Sequence, residues 1–110
     1  MTGGRPRLLP WDNLDGHPCY LVTDSTGNSH LSRIADDIEA VQLDMAEDLL
    51  GHAVDLVDDG SATAPQLRYL AARLTESLHD VHRVARSRGE RLVDAAPVAT
   101  RSTRPTPGGR

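Results

Sequence analysis

Apolar residues recur at intervals of three and four through most of residues 32–94, and that spacing predicts two long α-helices. The first is expected over residues 32–59. Ser32 is a candidate N-cap, and Asp36 and Asp37 suit the positive end of the helix dipole. Gly60 stands where a C-terminal stop belongs. The second helix is expected over residues 63–94. Thr63 and Gln66 form a capping box, and Pro65 falls in the first turn, where its missing N–H does no harm. Gly89 interrupts this stretch, but Leu92 keeps the apolar spacing, so the helix is expected to continue. The link over residues 60–63 is short enough to force the two helices to lie antiparallel and adjacent.

The two helices differ in how their apolar residues are spread. At about 100° per residue, Leu67, Ala71, Leu74, Leu78, Val81, Ala85 and Leu92 fall on one stripe of the second helix. That is a coiled-coil-like seam which one neighbour covers. On the first helix Ile34, Ile38, Val41, Met45, Leu49 and Leu56 form one stripe. Leu43, Ala46, Leu50, Val54 and Val57 form another, with Ala35, Gln42 and Ala53 between them. The combined arc spans roughly 200°, about twice that of a one-sided surface helix. A single hairpin partner does not cover such an arc. The first helix is therefore expected to meet its copy in a second chain, giving a dimeric four-helix bundle. Met45, Leu49, Leu50, Val54 and Val57 are the candidate self-association residues, and the N-terminal segment with Trp11, Tyr20 and Leu21 is a second candidate cover.

The expected fold class is mainly all-α: a long antiparallel two-helix hairpin preceded by a short loop or β-hairpin segment. Residues 1–10 are rich in Gly, Pro and Arg and are expected to form a loose tail. Residues 11–31 are expected to hold loops and short strands. Cys19-Tyr20-Leu21-Val22-Thr23 is the strand-like run, Asp24-Ser25-Thr26-Gly27-Asn28 the turn, and Ser29-His30-Leu31 a short return strand. The helical domain thus covers residues 11–94. Residues 95–110 carry Pro97, Pro105, Pro107, Gly108 and Gly109 and are expected to be a disordered tail.

Composition narrows the function classes. A chain of 110 residues is one domain at most, and one this small needs a staple or a partner. Cys19 is the only cysteine, which leaves no disulfide framework and fits a reducing compartment. No apolar run reaches the roughly 20 residues of a membrane span, and no signal peptide is evident. A cytoplasmic protein is expected. The formal charge of −4 and the small number of aromatic residues, Trp11, Tyr20 and Tyr69, disfavour nucleic-acid binding by the domain as a whole. Residues 32–59 carry nine acids and only Arg33 as a base, whereas residues 83–110 hold seven arginines. In an antiparallel hairpin Arg83, Arg86, Arg88 and Arg91 come to lie near Asp36, Asp37 and Glu39, which favours that orientation. The same arginines are the candidate contacts for an anionic partner, and they carry the alternative reading, a nucleic-acid accessory protein.

No residue pattern reaches a specific chemistry. His79 and His82 share a helix face at a metal-compatible spacing, but no HExxH or CxxC pattern supports them, and they read as surface histidines. His52 reads as a rim or core histidine. Cys19 has no neighbouring base to make it a nucleophile. The acids Asp36, Asp37, Glu39, Asp44, Glu47 and Asp48 read as a solvated acidic face, since no ExxH motif accompanies them. The segment 24–28 lacks both the EF-hand and the P-loop spacing. No catalytic residue, metal ligand or cofactor site is expected.

Trp11-Asp12, the run Asp15-Gly16-His17-Pro18-Cys19-Tyr20-Leu21, the stretch Leu31-Ser32-Arg33-Ile34-Ala35-Asp36 and Arg86-Ser87-Arg88-Gly89 resemble small uncharacterised proteins of Streptomyces-type actinomycetes. The resemblance covers residues 11–92 and implies no activity. The expectation from sequence is therefore a non-catalytic interaction or regulatory module, homodimeric, with a further protein partner.

Overall fold

The computed structural model describes residues 6–22 and 29–95. The chain runs β1 (Arg7–Asp12), β2 (Pro18–Leu21), α1 (Ser29–Asp58) and α2 (Ala64–Ala95). The architecture is mainly helical, an antiparallel helical hairpin with a two-stranded antiparallel sheet docked at one end. At 1.5 Å per residue the helices of 30 and 32 residues are each about 45 Å long.

The strands arise from a signal that composition hides. Asn13-Leu14-Asp15-Gly16 separates two short apolar runs, and it folds as the hairpin loop. The Asn13 side-chain Oδ1 accepts hydrogen bonds from the backbone N–H of Asp15 and His17, at 2.8 and 3.0 Å. Gly16 takes the left-handed conformation the turn requires, with φ of 81°. The pairing sets Arg7 opposite Leu21, Leu8 opposite Tyr20 and Asp12 opposite Pro18, with an irregularity between Leu8 and Asp12. Pro10 lies inside that irregularity, where its lack of an N–H does not break a ladder.

Three expectations change here. The loose tail expected to end at residue 10 instead contains four consecutive buried residues, Arg7, Leu8, Leu9 and Pro10. They are buried because β1 packs against both α1 and α2, so neither side of the strand faces water. The return strand expected at Ser29-His30-Leu31 is the first turn of α1, and Ser32 lies within the helix rather than at its cap. Helical spacing sets Leu31 and Ala35 four residues apart on one face, and both join the cluster formed by Leu9, Leu21, Trp11 and Cys19. The turn expected at residues 24–28 lies outside the described residues, as do residues 96–110.

The helix-helix corner keeps its expected chemistry with one difference. Thr63 N–H donates to Gln66 Oε1 at 2.8 Å, and Gln66 N–H donates to Thr63 Oγ1 at 3.2 Å, which completes the capping box. Gly60 does not adopt a positive φ. The corner is held instead by Asp59, whose Oδ1 accepts from the Ser61 N–H at 2.9 Å and the Ser61 hydroxyl at 2.7 Å. Those two bonds hold the exposed Asp59 carboxyl below its ordinary pKa, the side-chain bond first and the backbone bond second. Beyond the corner α2 runs unbroken through Gly89.

Candidate functional site: an apolar hairpin with one sealed end

The sealed end is built around a carboxylate. Glu39 on α1 is fully buried. Its Oε1 accepts from Arg88 Nε at 3.1 Å and from Arg91 Nη2 at 3.4 Å, both on α2. Arg7 Nη2, from β1, approaches Oε2 at 3.3 Å, a charge contact without good hydrogen-bond geometry. One side chain thereby ties three elements together. Arg7 also reaches Asp36 Oδ1 at 2.7 Å and the Ser32 carbonyl at 3.1 Å. Buried Ser87 donates its hydroxyl to the Leu8 carbonyl at 2.8 Å, and Gln42 Nε2 donates to the Pro10 carbonyl at 3.0 Å. Two carbonyls of the buried strand, those of Leu8 and Pro10, are thus met by helix side chains.

Glu39 overturns its place in the expected solvated acidic face. It is the one acid of α1 whose helical position falls within the arc of Ala35, Ala46 and Leu50, and that angle was the readable signal. The arginines also land differently from a free basic patch. Arg83 binds Asp12 at 2.8 Å and Asp80 at 2.7 Å, and Arg88 and Arg91 converge on Glu39. Of the four candidate anion contacts, Arg86 pairs with Glu90 on its own helix, and Arg86 and Arg88 both stay exposed. The charge-based register is present at Glu39, and it uses the groups that an anionic partner would need.

The helix contact itself runs along small residues. Ala35, Gln42, Ala46, Leu49 and Ala53 mark the inner line of α1, and Leu70, Ser77 and Val84 that of α2. The seven-residue step on α2 is as expected, but the line is rotated from the predicted stripe. Leu67, Ala71, Leu78, Ala85 and Leu92 are exposed. The rotation follows from β1. The second half of α2 must present Arg83 and Ser87 to the strand as well as packing on α1.

As a result the two stripes of α1 become two lips either side of the contact line. Val41 and Met45 form one, and Leu50, Val54 and Val57 the other, all more than half exposed. The five candidate self-association residues are therefore not one patch. Met45 and Leu49 line a groove with Gln42, Asp48, His52, Arg73, Glu76 and Asp80. It continues into a wider groove of about 770 Å³ toward the corner, where Leu49, Leu56, Tyr69 and Leu70 lie among Asp55, Asp59 and Arg73. Leu50 lies on the opposite side, in a groove of about 500 Å³ with Leu43, Ala46, Leu74, Leu78 and Val81. Glu47 and Ser77 are the polar residues of that lining. Val54 and Val57 follow Leu50 at helical spacing on this second side.

Among the described residues no cluster of three or more His, Cys, Asp or Glu is placed to hold a metal ion. His79 and His82 lie at a shallow surface depression with Thr75 and Leu78. His52 is exposed at the rim of the polar groove, and Cys19 is half-buried against the Leu9 cluster. No helix among the described residues is long and apolar enough to cross a membrane. No family model, curated protein or solved structure matches the chain.

Proposed function

We propose that this protein is a non-catalytic interaction module that acts through helical self-association and binding of a protein partner. The observation that carries this reading is the exposed apolar margin of the hairpin: Val41, Met45, Leu50, Val54, Val57, Leu67 and Leu78 all face water in the single chain. Covering a Leu or Val of this kind contributes roughly 1.5–3 kcal/mol. A run of them along one helical hairpin is the usual mark of an interface. Small domains without disulfides also gain most from such a partner, because one short chain buries too little core. Sedimentation velocity over a concentration series tests the reading. A reversible dimer is expected, and a monomer that persists at the highest soluble concentration contradicts it.

A further inference from the structure

We infer that two copies of this chain pair through the Leu50/Leu78 face, with α1 of each copy lying over α2 of the other about a twofold axis parallel to the helices. The inference deepens the self-association reading above and rests on it.

Two observations carry it. The first is apolar spacing. Leu43, Leu50 and Val57 follow one another every seven residues on α1, and Leu67, Leu74 and Val81 do so on α2, with Leu78 between. This is a heptad seam laid on two adjacent helices, and the contact within the chain only half-buries Leu43, Leu74 and Val81 and leaves Leu50, Val57, Leu67 and Leu78 exposed. A two-helix layer with one apolar face is half the core of a four-helix bundle. The opposite groove also holds apolar residues, Met45, Leu49, Leu56 and Tyr69, but it sets Asp48, Asp55, Arg73, Glu76 and Asp80 among them. An identical copy seated there would take the charged groups Asp48, Arg73, Glu76 and Asp80 out of water.

The second observation is charge, and it selects the axis. At the rim of the apolar strip, α1 carries the exposed acids Glu47 and Asp58, whereas α2 carries the exposed cations Arg68 and Arg86 and the imidazole of His79. The groove gathers Leu43 and Leu50 of α1 with Leu74, Leu78 and Val81 of α2, and the antiparallel run of the helices then puts Leu50 level with Leu74 and Leu43 level with Val81. A twofold axis parallel to the helices keeps every residue at its height and exchanges α1 for α2. Glu47 then meets the turn of the partner's His79, and Asp58 that of the partner's Arg68. An axis across the helices would stack α1 on α1, acid rim on acid rim.

Sedimentation velocity on variants of the full chain tests both parts, with circular dichroism to confirm that each variant is folded. Leu50→Glu and Leu78→Glu should convert dimer to monomer, while Met45→Glu and Tyr69→Glu on the opposite side should leave the dimer intact. Asp58→Arg should raise the dimer dissociation constant roughly tenfold, since each exposed pair accounts for up to about fivefold and symmetry removes two. Adding Arg68→Asp should restore it. Monomer formation by Met45→Glu and Tyr69→Glu, with Leu50→Glu and Leu78→Glu still dimeric, would move the interface to the other groove and leave self-association standing. Tighter pairing on Asp58→Arg would overturn the axis in favour of α1 on α1. A wild-type chain that never associates would remove this inference and the functional reading together.

Discussion

The two ends of the hairpin solve the same packing problem in different ways. At the end holding the start of α1 and the close of α2, a third element enters. β1 fills the space beside the helices, and Leu8, Leu9, Leu21, Ala35 and Val84 are buried. At the corner end the helices have only each other. Ala53 and Leu70 are buried there, while Val54, Val57, Leu67 and Tyr69 stay exposed. The apolar arc of α1 is wide along its whole length, so the difference lies in what covers it. Where the chain supplies its own third layer, the inner part of the arc is covered, while Ile34 and Val41 at its edge stay exposed. Where it does not, the arc remains available to another molecule. The lesson is that a wide apolar arc reports a need for a third neighbour, and it does not say whether that neighbour is the same chain.

Breaking the sealed end should have the largest effect. Glu39→Ala removes the buried carboxylate on which Arg88 and Arg91 converge and leaves buried Arg7 paired to the exposed Asp36, and removing one partner of a buried ion pair costs about 3–5 kcal/mol. Urea unfolding should show a loss of that order, and a loss under 1 kcal/mol would reduce Glu39 to a bystander. Leu9→Ala should cost about 2–5 kcal/mol by opening a cavity in the Leu9, Leu21, Ala35 cluster. The same truncation at exposed Val57 should leave the stability of the isolated monomer within about 0.5 kcal/mol, which is the contrast between the ends in a single pair of measurements. Ser87→Ala orphans the Leu8 carbonyl and should cost about 1–3 kcal/mol.

The smallest effect belongs at the corner. Ser61→Ala removes the hydroxyl bond to Asp59, the main reason its carboxyl titrates low. The Asp59 pKa should rise toward the ordinary value in an NMR titration. A depressed folded pKa contributes stability that is present above the unfolded value and fades as pH falls through the folded one. The wild-type chain should therefore be the more stable of the two above the unfolded carboxyl pKa, with the difference shrinking as pH falls and vanishing once Asp59 is protonated in both.

Much of the helical frame was legible because its signals are local. The capping box at Thr63 and Gln66, the short link and the three-four spacing each act within a turn or two, and the structure keeps all three. The sealed end was harder to read because its signals are distant. Arg7, Glu39 and Arg91 have no pattern in common, and only the fold brings them together. Residues 7–10 read as a tail because Arg and Pro suggest exposure, yet Arg7 is buried by the carboxylates around it. A better reading was available in the Asp15-Gly16 turn, which sits between two apolar runs and marks a hairpin. The rotation of α2 was also hidden. Its predicted stripe is the best face for one neighbour, but the helix has to serve β1 as well as α1. The division of Met45 and Leu49 from Leu50, Val54 and Val57 was already legible in the two stripes of α1; what the sequence did not reveal is that α2 packs between those stripes and leaves a groove on each side.

Hydrogen exchange followed by mass spectrometry, from well below to well above the association midpoint, tests the contrast between the ends most directly. Amides of residues 43–57 and 67–81 should gain protection as concentration rises, while those of β1 and the opening turns of α1 stay constant. Protection that is equal at the two ends and independent of concentration would contradict an interface on the corner half.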